Sequence, residues 1–222
     1  MKILVALTYY YPHWTGLTAY AQRLAEGLAA RGHQVTVITS RFRPDLALEE
    51  EHKGVRILRA PSLIRLSRGQ VSPGLLRNAW RLVREHDIVQ THTPMLETWP
   101  IAALAHRAGR PLLMTHHGDL VMPKGLWDQF VQKTVGYMLD RGARAADVIT
   151  THCQDYADHS DYLRPYLGKL VAIYPPVEIP QPDEQAVADW RTSRRLNGAP
   201  LIGFAGRFVE EKGFEYLLQA IP

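Results

Sequence analysis

Residues 2–8, KILVALT, and residues 34–40, QVTVITS, decide the fold, together with the segment 20–31 between them. Both strings are apolar or β-branched and carry no charge after Lys2, the pattern of strands buried on both faces of a parallel sheet. In the intervening segment Tyr20, Leu24, Ala25 and Leu28 recur at helical spacing, and Gly32 supplies a stop. Strand, helix and strand in that order make a βαβ unit, whose crossover leaves the two strands parallel.

The alternation continues outward from this unit. Strands are predicted at 55–59, 87–91, 112–116, 148–151 and 170–174, and helices at 75–85, 97–108 and 125–145. This order implies an α/β fold, a Rossmann-like doubly wound parallel sheet with helices on both faces. Ligands in such folds bind beyond the carboxyl ends of the strands. After residue 174 the texture changes to Pro175, Pro176, Pro180 and Pro182 among acidic residues, which favours an extended linker. A short polar helix is predicted at 184–196, a buried strand at 201–205 (LIGFA) and a helix at 214–221. One strand and one helix bury no core of their own. The reading therefore divides the chain into a Rossmann-like domain at 1–180, a linker at 181–198 and the incomplete start of a second Rossmann-like domain at 199–222.

Apolar residues make up 46% of the 222 positions and charged residues 22%, which is ordinary globular usage and excludes a disordered chain. Cys153 is the only cysteine, so neither an internal disulfide nor a cysteine-rich zinc site is available, and a reducing cytoplasm is expected. No apolar run approaches the ~20 residues of a membrane-spanning helix, and the first residues lack a signal-peptide pattern. The net charge of +4 is unevenly spread: residues 53–84 contain lysine and arginine but no aspartate or glutamate, which predicts a local positive field. Nucleic acid is not the expected partner, because no recognised module or stacking platform accompanies that charge.

Two stretches carry chemistry. The first is GRFVEEKG at 206–213, between a predicted strand and a predicted helix. Its glycines let a ligand approach the backbone, Arg207 offers a planar fork of donors, Lys212 a point charge, and the following helix its positive end. Such a loop suits a diphosphate; the competing reading is a charged surface turn. The second is Met114, Thr115, His116, His117, Gly118, Asp119 at the end of a strand. Strand alternation sends His116 and His117 to opposite sides, which argues against a paired metal site.

Taken together these features resemble the retaining GT-B glycosyltransferases of family four. The resemblance rests on Tyr9 to Pro12, Gly16, the helix after it, and Gly32, His33, Val35, Val37 and Thr39 in the first unit, and on Gly203, Gly206, Arg207, Lys212 and Gly213 near the end. It implies transfer of a sugar from a nucleotide-diphosphate sugar, the co-substrate, to a glycan or lipid-linked acceptor, without a metal or other cofactor. Arg207 and Lys212 would grip the donor diphosphate. Gly16 would bring the backbone to the donor phosphate, although this chain has one glycine where the family often has two. His117, aligned with the histidine of the family's "T-x-H-G", is the catalytic candidate, facing the donor sugar to orient it or relay a proton. Thr115, Asp119 and Tyr11 are acceptor or cleft candidates. Because the family's donor-binding "E-x7-E" text lies further along, the 222 residues alone are expected to transfer no sugar. The basic run at 53–84, with its apolar neighbours, suits peripheral contact with an anionic membrane at its inner, cytoplasmic face, as in family members that act on lipid-linked acceptors; the competing reading is a helix packed on the sheet with a solvated basic face. A nucleotide-sugar epimerase of the same architecture and a non-catalytic nucleotide-binding or scaffolding module are the alternatives.

Overall fold

The computed structural model describes residues 1–66, 69–119, 125–177, 179–194, 201–206, 208–209 and 212–220. They fall into two compact units, residues 1–177 and 178–222.

The first unit is built on an eight-stranded sheet. At its centre β1 (Lys2–Ala6) lies parallel to β2 (Gln34–Arg41) on one side and to β7 (Ile88–Thr93) on the other. Beyond β2 come β4 (Val55–Pro61), parallel, and the edge strand β3 (Glu49–His52), antiparallel to β4. Beyond β7 come β8 (Leu112–His116), β9 (Val148–Thr151) and β10 (Leu170–Ala172), all parallel. The full order is β10-β9-β8-β7-β1-β2-β4-β3. A separate two-stranded hairpin, β5 (Ile64–Leu66) with β6 (Gly69–Val71), follows β4.

Strands β1, β2 and β4 feed two cores, because successive side chains point to opposite faces. Ile3, Val5 and Leu7 join Val35, Val37, Val55 and Ile57 under Ala21 and Ala25 of α1 (Gly16–Ala30). Leu4 and Ala6 join Ile38, Val89, Met114 and Ile149 on the other face. That face is covered by α2 (Pro73–Leu82), α3 (Thr98–Arg107), α4 (Leu126–Ala145) and α5 (Gln154–His159), through residues such as Leu75, Ile101, Ala143 and Ala157. Strands walled on both sides in this way are why the sequence reads there as unbroken apolar runs. Gly32 closes α1 with φ +84°, a conformation costly for any residue with a Cβ.

Three elements depart from expectation. Helix α1 begins at Gly16 rather than Tyr20, because Thr15 caps it: the Thr18 N–H donates to Thr15 Oγ1 at 3.2 Å and the Thr15 N–H to Thr18 Oγ1 at 2.7 Å. Strand β3, EEEH, has no apolar signature, since an edge strand buries little and is held by its ladder and its ion pairs. The strand expected at 201–205 does not form. A strand needs a ladder partner, and among the described residues of the second unit none exists; Phe204 instead packs against Phe208 and Phe214, at 5.9 and 4.9 Å between ring centroids. That unit carries α6 (Glu184–Ser193), capped by Asp183, and α7 (Phe214–Gln219).

Candidate functional site

The strand order reverses at β1. From β1 the chain proceeds to β2 on one side, and from β7, on the other side, to β8. The crevice at the carboxyl ends of β1 and β7 is thus the switch point where ligands of doubly wound folds lodge. Three pieces of chain surround it: the loop from β1 to α1, the end of β7 and the end of β8.

The loop is firmly built. Tyr10 is buried, with its phenol held protonated far above the ordinary range, first by desolvation and then by Glu26. Tyr9 stacks on His13 at 4.5 Å, and both meet the edge of Phe42. Tyr11 stacks on His52 of β3 at 3.9 Å, and its carbonyl accepts from Nη2 of Arg59 at 2.7 Å. Arg59 is itself buried and also donates to Glu50 at 2.7 Å and to the Ala47 carbonyl at 3.1 Å. Gly16 opens α1 with nothing within 4 Å of where a Cβ would stand, and the first turn carries no acidic residue. No carboxylate offsets the positive end of the helix, and it is sterically open at Gly16.

Across the crevice His117 follows β8. Its Nε2 lies 2.8 Å from Nδ1 of His92 near the end of β7, and the two rings stack with centroids 5.1 Å apart. Tyr20 of α1 presents itself nearly at right angles to His117, 4.9 Å away. Burial, with smaller contributions from His116 and His152, lowers the His117 pKa to about 4; burial lowers that of His92 as well. Both imidazoles are uncharged at neutral pH. Among the described residues Nδ1 of His117 has no hydrogen-bond partner.

His116 takes a different set of partners. Its Nε2 meets Asp119 Oδ1 at 3.0 Å and its ring stacks on Tyr162 at 4.8 Å. Desolvation lowers its pKa, against the pull of Asp119. The Ser160 hydroxyl donates one bond shared between Oδ1 and Oδ2 of Asp119, each 3.0 Å away, and the Asp119 N–H donates to the Tyr156 hydroxyl at 2.8 Å. It thus ties the end of β8 to the end of α5. A cavity of about 440 Å³ lies beside it, lined by Gln129, Lys133, Asp161 and Tyr162 among others. Thr115 sits inside the fold rather than in the crevice: it is 2% exposed and its hydroxyl accepts from Gln90 at 2.9 Å and from Thr150 at 3.0 Å. Among the described residues no group of three or more His, Cys, Asp or Glu is placed to hold a metal ion.

Of the diphosphate pair, Arg207 lies outside the described residues. Lys212 is exposed in the second unit, its N–H bonded to the Val209 carbonyl at 2.9 Å, and it precedes Gly213, whose φ of +63° starts α7.

The positive field expected over 53–84 is narrower in space than in sequence. Lys53 pairs with Glu26 at 3.1 Å, Arg56 with Glu49 at 2.7 Å and Arg59 with Glu50. The acidic strand β3, folded back on β4, supplies two of these partners. Arg77, Arg81 and Arg84 remain exposed on and just after α2, beside Trp80, which is 58% exposed. Among the described residues no helix is long and apolar enough to cross a membrane.

Sequence reasoning missed His92, because the predicted strand stopped at Thr91. The signal was there: Gln90, Thr91, His92 and Thr93 are polar residues finishing a buried strand, as Thr115 and His116 finish β8.

A mostly parallel eight-stranded sheet of Rossmann-like build, with its crevice at the switch point, defines a GT-B domain. The chain belongs to Glycosyltransferase Family 4, whose model matches residues 14–180. It is 27% identical over 229 residues to a 2-deoxystreptamine glucosyltransferase of Streptomyces kanamyceticus, an alignment covering 90% of this chain and 57% of that protein. Among solved structures it is similar in fold to a sucrose-phosphate synthase from Thermosynechococcus elongatus, with a TM-score of 0.66 at 20% identity, over 99% of this chain and 59% of that one. The chain thus spans less than two thirds of the length of either relative.

Proposed function

We propose that this chain supplies the acceptor side of a retaining glycosyltransferase that moves a hexose from a nucleotide-diphosphate sugar to an acceptor. The observation that carries the reading is His117, held at the carboxyl end of β8 with Nδ1 unengaged among the described residues, with Tyr20 bringing the open amino end of α1 against it. Departure of a nucleoside diphosphate builds negative charge, which fixed dipoles and neutral donors stabilise without rearranging. The amino end of α1, which no acidic side chain offsets, suits that charge, and so do the donors of Arg207 and Lys212 by their chemistry. Family membership and the glucosyltransferase relative favour a sugar donor. The epimerase alternative calls for a free carboxylate in the crevice. Asp119 is committed to His116 and Ser160 instead.

The test is a panel of nucleoside-diphosphate hexoses given to the full-length protein, scored for transfer and hydrolysis. His117→Ala is expected to lower turnover ~100-fold or more with the fold intact. Turnover unchanged by that substitution, or no activity with any donor, overturns the reading.

A lipid-linked acceptor fits the exposed face of α2. Arg77, Arg81 and Arg84 are exposed there, outnumbering Glu49 and Glu85 in the groove that Arg77 and Arg81 line, and Trp80 offers an aromatic body suited to a membrane interface.

A further inference from the structure

We propose that His92 is the positioning residue of His117: it engages Nε2 of His117 from within the fold, so that His117 meets its ligand through a protonated Nδ1. The proposal rests on the transferase reading only for the identity of the group that Nδ1 meets.

The two rings share one hydrogen bond, Nδ1 of His92 to Nε2 of His117, 2.8 Å long. Both are kept uncharged by burial, so a single proton lies between them and two arrangements exist. In the first, the proton belongs to His92 Nδ1; His117 Nε2 accepts it, and the remaining proton of His117 must sit on Nδ1. In the second, His117 Nε2 donates, and the proton of His92 is forced onto its own Nε2. That atom is buried and has no hydrogen-bond partner. A buried N–H without an acceptor is an orphan that folded proteins rarely leave. The first arrangement avoids it.

The surroundings hold the pair in register. The His117 N–H donates to the Thr93 carbonyl at 3.2 Å, one residue beyond His92, so the ends of β7 and β8 move as one. Tyr20 packs edgewise on both rings, at 4.9 Å from His117 and 6.0 Å from His92. His92 is 1% exposed, so it acts through His117. A protonated Nδ1 is a neutral donor to oxygen lone pairs, whether of a sugar hydroxyl or of a departing diphosphate. A bare Nδ1 would set lone pair against lone pair at a diphosphate oxygen, and at a sugar hydroxyl it could only accept.

The tautomer is read directly by long-range proton–nitrogen correlation spectra of the ¹⁵N-labelled chain, with His117 assigned by the signals lost in His117→Gln. The expected result is a protonated Nδ1 and a bare Nε2 on His117. In His92→Phe, which keeps a ring and removes the donor, His117 is expected to revert to a mixture of both tautomers; in His92→Asn, whose amide nitrogen falls near the lost Nδ1, the single tautomer returns. A protonated Nε2 on His117 of the unsubstituted chain overturns the proposal whether or not the variants fold, and so does a His117 spectrum unaltered in His92→Phe. Because no nucleotide sugar is present, failure here leaves the transferase reading standing, and failure of the donor panel leaves this result standing.

Discussion

His117 stays uncharged across the neutral range because the fold gives its cation too little water, and the same burial makes acid a threat to stability. Its pKa in the fold, about 4, lies below the ordinary 6.5. Between those values the unfolded chain binds a proton that the folded one refuses, so stability is whole above pH 6.5 and falls as pH drops toward 4. The span of 2.5 pK units corresponds to at most about 3 kcal/mol from this one ring. His92 and His116 shift in the same direction. The urea midpoint is therefore expected to fall steeply from pH 7 to pH 5, and to fall less in His117→Gln; equal slopes in the two proteins would contradict the assignment. At this scale the sequence revealed His117, through the text around it, but not its partner. Only the pairing of β7 with β8 brings His92 alongside, and a register between distant strands leaves no mark in local spacing. Thr115 shows the converse: a polar residue two positions from His117 points into the core and serves Gln90 and Thr150.

Among elements, the contact of α3 with α4 depends on a missing side chain. A Cβ on Gly142 would collide with Thr98 Cγ2, and Thr98 is fully buried. Gly142→Ala is expected to cost ~1–3 kcal/mol through overpacking. Gly136, on the same helix, faces open space, so Gly136→Ala is expected to stabilise by ~0.5–1 kcal/mol through better helix propensity. Denaturant midpoints of the two variants should move in opposite directions, and a shared sign would refute this picture of the interface. The parallel strands were legible because burial on two faces leaves unbroken apolar text, and the helices because one apolar stripe repeats. Strand β3 was not, since three glutamates at an edge look like a loop. Residues 201–205 erred the other way: LIGFA has strand composition, yet composition cannot create the neighbour that a ladder requires.

Across the whole molecule, charge is arranged by folding rather than by sequence order. The basic run at 53–84 is answered over its first part by Glu26, Glu49 and Glu50, which leaves the arginines of the α2 region as its outward face among the described side chains; those of Arg65 and Arg68 lie outside them. If that face meets anionic lipid, sedimentation with phosphatidylserine vesicles should be salt-sensitive and should weaken when Arg77, Arg81 and Arg84 are changed to Ser. At ~1 kcal/mol per well-placed arginine the triple change removes roughly 100-fold in partition. Lys53→Ser and Arg56→Ser should leave it nearly unaltered; equal effects from both groups would mean that net charge, not this face, governs attachment. An open sheet also has a rim where its hydrogen-bonding groups stand unpaired, and here one rim is β3. A second copy that pairs its own β3 with this rim brings Glu49, Glu50 and Glu51 beside the same residues of its neighbour. Like charge at that rim disfavours such self-pairing, so β3 resists becoming the seam along which two copies join.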